Sequence, residues 1–150
     1  MRRLIAVLAV LALMLGQSSG PALASTKAKP AQGVRIEIDL SSQTMKVNVN
    51  GRSYARWKVS TGRAGYYTPT GSWRPFLLKK MHYSRKYDNS PMPHSIFFLG
   101  GYAIHATYYI RQLGRPASHG CIRLHPTNAA KLYSLVQRYG LRSTRITIVH

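Results

Sequence analysis

The sequence contains very few acidic residues. Of its 150 residues, 22 are lysine or arginine and only three are acidic, namely Glu37, Asp39 and Asp88. A glycosidase needs two carboxyl groups that flank one glycosidic bond. Glu37 and Asp39 alternate with apolar residues, so we interpret them as polar positions on the solvent face of a strand. The composition therefore argues against chemistry by paired carboxylates.

Cysteine is nearly absent as well, since Cys121 is the only one in the chain. It cannot form an internal disulfide, and in an exported protein an odd cysteine pairs with another chain or stays free for chemistry. We favour the free thiol. A metal site is the alternative, because six histidines accompany the cysteine. The two-plus-two ligand spacing of a zinc site is missing, however, so the sequence predicts no metal and no cofactor.

The chain also lacks an apolar run of the roughly 20 residues that cross a bilayer. Residues 4–15 are all apolar, two arginines precede them, and the small residues Ala22-Leu23-Ala24 follow. This order is typical of a secretory signal peptide. The sequence predicts a cleaved signal peptide over residues 1–24, a periplasmic and wall-associated protein, and no stable membrane anchor after cleavage. An uncleaved anchor is the less favoured alternative.

Positive charge dominates the rest of the chain. The formal net charge of the whole sequence is +19, and loss of Arg2 and Arg3 lowers it to +17. Such a charge favours an anionic partner, either a cell-wall polymer or a lipid surface, and a purely solubilising role is the alternative. Export argues against nucleic acid. Residues 25–33 are predicted to be a flexible leader and residues 34–150 one domain with its own core.

Alternation of apolar and polar residues predicts a domain that is mainly β. Asn50-Gly51 between two alternating runs predicts a two-residue hairpin turn. Helical spacing of five apolar residues predicts one helix that begins near Pro126 and stops at Gly140. Lys79 to Pro93 shows neither period, and we predict a mobile lid there whose Tyr83 packs over substrate. The predicted strands cover residues 34–40, 45–49, 55–59, 72–78, 96–99, 102–104 and 145–149.

One short stretch combines a thiol with a close backbone turn. Cys121 lies in the polar turn 117–123, and His105 lies sixteen residues before it on an apolar segment. A thiol with a nearby imidazole is a candidate nucleophile and general base. Gly120 lets the backbone approach the thiol, and the N–H groups of Gly120 and Cys121 are candidate oxyanion donors. The carbonyl of Ala106 is the candidate partner that orients His105, because carboxylates are scarce. An inert buried thiol with a core histidine is the less favoured alternative.

These residues resemble a known family. His105 followed by Ser118-His119-Gly120-Cys121-Ile122-Arg123 is similar to the signature of bacterial L,D-transpeptidase catalytic domains. The resemblance runs from Ser60-Thr61-Gly62 through Thr68-Pro69-Thr70-Gly71 to Val149. It implies a single β-sandwich domain with one helix after the catalytic cysteine. Ala106 departs from the glycine or serine that family members often carry, but a backbone carbonyl does not depend on the side chain.

The resemblance also implies a reaction. Cys121 would attack the carbonyl of the third residue of a peptidoglycan stem peptide, with His105 as base, and release the terminal D-alanine. An amine of a neighbouring stem, or of a wall-linked outer-membrane protein, would then resolve the thioester. Hydrolysis by water, which would make the protein an L,D-carboxypeptidase, and a non-catalytic wall-binding module are the alternatives. By the same resemblance, Ser118, His119 and Gly120 would shape the oxyanion site, and Arg123 would bind or order the substrate carboxylate region.

The sequence further predicts an activated thiol. A protonated His105 and the positive field of the chain are expected to stabilise the Cys121 thiolate. We therefore expect iodoacetamide to alkylate Cys121 faster than an unstructured thiol at pH 6 to 7. The family resemblance also implies that a carbapenem forms an adduct on Cys121.

Overall fold

A computed structural model describes residues 32–150 of the chain. The predicted signal peptide and residues 25–31 of the predicted leader lie outside the described residues. The described part consists of two sheets and one α-helix, with two short 3-10 turns. The elements are β1 Val34–Asp39, β2 Thr44–Val49, β3 Arg52–Lys58, β4 Gly71–Trp73, β5 Leu77–Ser84, β6 Ser90–Leu99, β7 Tyr102–Ala106, β8 Ile122–Leu124, α1 Pro126–Tyr139 and β9 Thr144–Val149.

The two sheets share one apolar core. The larger sheet has the strand order β3-β2-β1-β9-β4 and the smaller has the order β5-β6-β7-β8. Neighbouring strands are antiparallel except β1 with β9 and β7 with β8, which are parallel. Side chains of both sheets and of α1 meet in a single buried cluster. This arrangement confirms the predicted fold class, a mainly β domain with one helix after the cysteine.

Local turn and cap signals predicted their elements well. Asn50 and Gly51 join β2 to β3 with φ values of 51° and 77°, the left-handed conformation that a two-residue type I′ turn requires at both positions. Pro126 occupies the first turn of α1, and Gly140 follows its last residue. The helix buries Ala129, Leu132 and Val136 of its predicted apolar face and Leu135 in addition, while Tyr133 and Tyr139 are only partly buried.

The segment from Lys79 to Pro93 differs from the prediction, because it is a hairpin and not a long loop. β5 and β6 pair through it, with Tyr83 opposite Pro91, and only residues 85–89 form the connecting turn. Proline argues against a central strand since it has no N–H for the ladder. Here β7 pairs with β6 only from Ile96 onward, so the proline-bearing half of β6 has an open edge that needs no donor.

Two smaller boundaries also differ from the predictions. Residues 72–78, predicted as one strand, divide between β4 in the larger sheet and β5 in the smaller one, with Pro75 between them. The short strand β8 directly after Cys121 was not predicted. Within residues 32–150, no helix combines the length and apolar character needed to cross a membrane.

Candidate active site

Strands β7 and β8 bring the histidine and the cysteine to one face of the smaller sheet. They are parallel neighbours, with His105 opposite Arg123 and Ile104 opposite Ile122. Successive side chains of a strand point to opposite faces, so the two isoleucines enter the core while His105 and Arg123 face away from it. Cys121 directly precedes β8 and lines the same cavity as His105 and Arg123. Because the two strands are parallel neighbours, His105 and Cys121 lie beside the same cavity although they are sixteen residues apart in the sequence.

A cavity of about 730 Å³ covers this face of the sheet. Gly120 and Ala106 lie outside the lining of this cavity, and Ala106 contributes to the site only through its contact with His105. The 85–89 turn of the β5–β6 hairpin and the loop before the cysteine form its walls. The structure therefore gathers most of the sequence-predicted site around one space, with the side chains of Tyr83, His105, Ser118, His119, Cys121 and Arg123 in its lining.

His105 is buried with a defined orientation. Its Nδ1 lies 2.7 Å from the carbonyl oxygen of Ala106. A carbonyl oxygen only accepts hydrogen bonds, so Nδ1 carries the proton and Nε2 keeps its lone pair. Burial lowers the pKa of His105 to about 4. The hydrogen bond to Ala106 opposes this shift, and the positive charge of Arg123 adds to it. The imidazole is therefore neutral at neutral pH, which is the form that accepts a proton.

The thiol of Cys121 is protonated at rest. It is partly exposed to the cavity, but its other side packs against the small apolar cluster of Met92, Phe97 and Ala103. Burial raises the pKa of the Cys121 thiol, and the N–H of Ala103 and the charge of Arg123 only partly oppose this shift. This direction is opposite to the predicted stabilisation of the thiolate, because desolvation outweighs the positive field.

The turn before the thiol is tied by the hydroxyl of Ser118. This buried hydroxyl donates to the Cys121 carbonyl oxygen at 2.6 Å and accepts from the Gly120 N–H at 3.0 Å. The Gly120 N–H thus has a partner already, which differs from its predicted role as an oxyanion donor. In the described part of the chain the Cys121 N–H has no hydrogen-bond acceptor. Cys121 therefore offers a free backbone donor at this turn.

Gly120 is required for the shape of the turn. Its φ is +113°, and a Cβ there would lie 2.8 Å from the Tyr67 carbonyl oxygen and 2.9 Å from the Tyr102 ring. Only glycine combines this φ with such close approach. The backbone is closely approached at Gly120, and the atoms that crowd it belong to Tyr67 and Tyr102.

Thr68 connects the turn to the rest of the domain. Its buried hydroxyl accepts from the Gly62 N–H at 2.8 Å and donates to the Gly120 carbonyl oxygen at 2.8 Å. Sequence reasoning placed Thr68 in a loop motif but gave it no part in the site. The hydroxyl holds the turn through backbone atoms, and neither periodicity nor residue spacing reveals such a contact.

We expect Thr68→Val to destabilise the domain by about 2 kcal/mol or more, because it leaves two buried backbone groups without partners. Thr68→Ser keeps the hydroxyl and should cost much less. Urea unfolding of both variants beside the wild type measures the difference. A loss for serine as large as that for valine would contradict this role of the hydroxyl, because serine keeps the hydroxyl and lacks only the methyl that valine retains.

His119 lies between two tyrosine rings. Tyr87 stacks on its imidazole with centroids 4.5 Å apart and planes at 12°, and Tyr66 meets it edge-on at 4.5 Å. Burial lowers the pKa of His119, and the charge of Arg63 adds to this shift. Since Tyr87 belongs to the 85–89 turn of the β5–β6 hairpin, this contact fixes the hairpin against the loop that bears the thiol. Sequence reasoning missed Arg63 and Tyr66, which no local pattern marks.

Arg123 contacts the loop that leads to the thiol. Its Nη1 donates to Gln112 Oε1 at 3.0 Å and to the Ala117 carbonyl oxygen at 3.3 Å. Its guanidinium also lies 5.7 Å from the centre of the Tyr109 ring. Half-buried and engaged in this way, Arg123 is well placed to order the loop. Among residues 32–150, no three histidine, cysteine, aspartate or glutamate side chains come together to hold a metal ion.

A thiol and a neutral, oriented imidazole beside one cavity make a site suited to nucleophilic acyl chemistry. Residues 33–148 match the family model YkuD, described as the L,D-transpeptidase catalytic domain. The chain therefore belongs to the family of L,D-transpeptidase catalytic domains.

Known relatives resemble the chain in sequence and in fold. It is 26% identical over 117 residues to YkuD of Bacillus subtilis (strain 168), which carries the name of an L,D-transpeptidase, and covers 64% of that protein with 75% of its own length. A solved L,D-transpeptidase from Stackebrandtia nassauensis is 28% identical with a TM-score of 0.69, and 85% of this chain matches 62% of it.

A more distant relative supports the fold alone. L,D-transpeptidase 3 from Mycobacterium tuberculosis, solved with a faropenem-derived adduct, is 18% identical with a TM-score of 0.69. The match covers 79% of this chain and 60% of that one. The chain thus spans less than two thirds of the length of each of these three relatives.

Proposed function

We propose that this protein is a cysteine-dependent L,D-transpeptidase that transfers an acyl group from a peptidoglycan stem peptide to an amine. The observation that carries the proposal is that one cavity is lined by Cys121 and by a buried His105 whose Nδ1 bonds to the Ala106 carbonyl. Family membership supports the same class of reaction. A thioester on Cys121 is the proposed intermediate.

The first step begins from a neutral pair. As Cys121 Sγ forms a bond to the carbonyl carbon of the donor peptide, its proton passes to Nε2 of His105. The Ala106 carbonyl stabilises the imidazolium that forms, because it accepts a hydrogen bond from Nδ1. A thiol with a raised pKa is also the stronger nucleophile once deprotonated. In this proposal the thiolate forms only during the attack, and the resting thiol is protonated.

The oxygen of the tetrahedral intermediate needs hydrogen-bond donors. We assign the Cys121 N–H as one of them, since it is free and belongs to the attacking residue. Ser118 holds the turn through bonds to both Gly120 and Cys121. Its role in this proposal is to position that donor, while Gly120 permits the required backbone shape.

Collapse of the intermediate breaks the bond from the acyl carbon to the D-alanine nitrogen. The imidazolium of His105 returns its proton to that nitrogen, so D-alanine leaves and the thioester remains. An acceptor amine then attacks the thioester while His105 takes one amine proton. The carbon–sulfur bond breaks, and the thiol of Cys121 is restored with that proton. Each step leaves the protein unchanged in charge and oxidation state.

The acceptor and the place of action are parts of the same proposal. We propose that the protein is exported through its predicted signal peptide and works at the cell wall. A stem-peptide amine is the proposed acceptor, and a wall-linked outer-membrane protein is the alternative. Hydrolysis is the second candidate reaction, because the cavity is open enough for water to reach the thioester.

The deciding experiment incubates the purified protein with a disaccharide-tetrapeptide and identifies the products by mass spectrometry. A crosslinked dimer with release of D-alanine supports the transpeptidase. A disaccharide-tripeptide without dimer supports the carboxypeptidase. If neither product forms, and a wall-linked protein acceptor gives none either, the enzymatic proposal is rejected.

The raised pKa of the Cys121 thiol gives a distinct prediction for its reactivity. We expect iodoacetamide to alkylate Cys121 more slowly than a free cysteine peptide at pH 7, because little thiolate exists in the folded site. The alkylation rate should still be rising beyond pH 9, where a thiol with the usual pKa of about 8.5 levels off. Rates over a pH series on the folded protein and on the peptide test this. Alkylation at pH 7 faster than that of the peptide would contradict this prediction and would support a thiolate–imidazolium pair in the resting site.

Tyr83 is predicted to contribute to turnover more than to stability. It lies on β5, is 54% exposed and lines the cavity. Tyr83→Ala should lower kcat/KM for the donor about tenfold, with little change in the melting temperature. Tyr54→Ala, a similarly exposed tyrosine on β3 outside the cavity, is the matched control. Equal loss of turnover in both variants would show that Tyr83 makes no specific contribution to binding or turnover of the donor.

A further inference from the structure

The cavity is strongly one-sided in charge. Four cationic side chains line it, and no aspartate or glutamate does; the cations are Arg63, Arg85, Lys86 and Arg123. In the described part of the chain the only ion pair joins Lys46 and Glu37 in the larger sheet. Fixed positive charges in a concave site reinforce one another and attract anions. The cavity therefore carries an unbalanced positive potential beside the thiol.

Arg123 differs from the other three cations. Its Nη1 donates hydrogen bonds to Gln112 and to the Ala117 carbonyl oxygen within the loop. The side chains of Arg63, Arg85 and Lys86 form no hydrogen bond or ion pair within residues 32–150. Their charged groups are therefore free to bind a ligand, and neutralising them requires an anion from outside the described residues.

Two of these free cations are held in place by aromatic rings. The Arg63 guanidinium lies 4.4 Å from the centre of the Tyr66 ring, and the Lys86 ammonium lies 5.5 Å from that of Tyr87. Both rings pack against His119, which is two residues before the nucleophile. The order along this stack is arginine, tyrosine, histidine, tyrosine, lysine. Such cation–ring contacts restrain the charged groups without neutralising them.

We propose that Arg63, Arg85 and Lys86 form an anion subsite that selects donor stem peptides with free carboxylates over donors in which those carboxylates are amidated. This inference rests on the proposed function and adds the charge state of the substrate. Arginine binds a carboxylate through two parallel hydrogen bonds, and both arginine and lysine gain from the charge. A carboxamide offers one oxygen acceptor and no net charge, so it loses most of this interaction. No acidic side chain lines the cavity to attract a positively charged group instead.

The test uses two synthetic tetrapeptide donors that differ only in those carboxyl groups of the second and third residues that lie outside the peptide bonds, which are free in one donor and carboxamides in the other. The wild type should show at least about tenfold higher kcat/KM for the free acid. The double substitution Arg85→Gln and Lys86→Gln should reduce this ratio toward one. Lys79→Gln with Lys80→Gln is the matched control, because it removes the same charge from the same hairpin at exposed positions outside the cavity. The control should keep the wild-type ratio.

A binding measurement separates this inference from the proposed function. The Cys121→Ala variant of the full chain is titrated with both peptides by calorimetry, which requires no turnover. Tighter binding of the free acid, weakened by raised salt and by the Arg85 and Lys86 substitutions, supports the subsite even if no transfer product forms. Equal affinity for the two peptides, or a preference that the control double variant loses to the same degree, overturns the subsite and leaves the transpeptidase proposal standing.

Discussion

Replacing Cys121 with alanine is expected to abolish acyl transfer, with a loss in rate of at least about 10³-fold. The sulfur is the atom that would carry the thioester, and no other cysteine exists to replace it. The fold should survive, because the side chain is partly exposed and only the sulfur is removed from its contact with Met92, Phe97 and Ala103. Product analysis with the disaccharide-tetrapeptide, together with thermal melting, measures both effects.

The same variant distinguishes an enzyme from a wall-binding module. A binding module should retain all of its function in Cys121→Ala, whereas an enzyme should retain only binding of the stem peptide. Intact mass after incubation with a carbapenem provides a second readout, since we expect an adduct on the wild type and none on the variant. Crosslinking by the alanine variant at the wild-type rate would show that Cys121 is not the nucleophile.

His105→Gln is expected to remove a large pH dependence of stability. The pKa of His105 is about 4 in the folded chain, against 6.5 for an unperturbed histidine. Between these two values the unfolded chain binds a proton that the folded chain does not, so the wild type loses stability as pH falls from 6.5 toward 4. The linked change is roughly 3 kcal/mol. Glutamine does not titrate, and the variant should lack this component.

The measurement compares the free energy of unfolding of the two proteins at pH 7.5 and at pH 4. The difference between wild type and variant should shift by roughly 3 kcal/mol in favour of the variant at the lower pH. The other histidines are common to both chains and cancel in this difference. Parallel stability curves would show that His105 is not buried in its neutral form.

The same pKa sets an expectation for activity. Since Nε2 of His105 is unprotonated above about pH 4, kcat/KM of the wild type should not fall on the acid side until the pH approaches that value. The glutamine variant should lose about 10²- to 10⁴-fold in rate near neutral pH, as expected when a general base is removed. A wild-type acid limb centred near pH 6.5 would contradict the assigned protonation state.

Local patterns predicted much of the fold because their causes are local. Asn50-Gly51 tolerates the left-handed backbone of a tight hairpin, and the apolar spacing after Pro126 matches one helix face. The short motif around Cys121, together with His105, likewise marked the candidate catalytic residues. The parallel pairing of β7 with β8 brings Cys121 and His105 to the same face of the smaller sheet. The signal peptide and the export route remain predictions, since they fall on residues outside the described part.

The sequence by itself determined the strand periodicity, the helix, the single thiol and the excess of positive charge, because each is a property of residues close in the chain. Tertiary structure alone decided three other features. Prolines of β6 fit a strand because its outer half lacks a second neighbour. Thr68 bonds to Gly120 across 52 residues. The thiol stays protonated because Met92, Phe97 and Ala103 desolvate it, and burial by distant residues outweighs the charge that composition reveals.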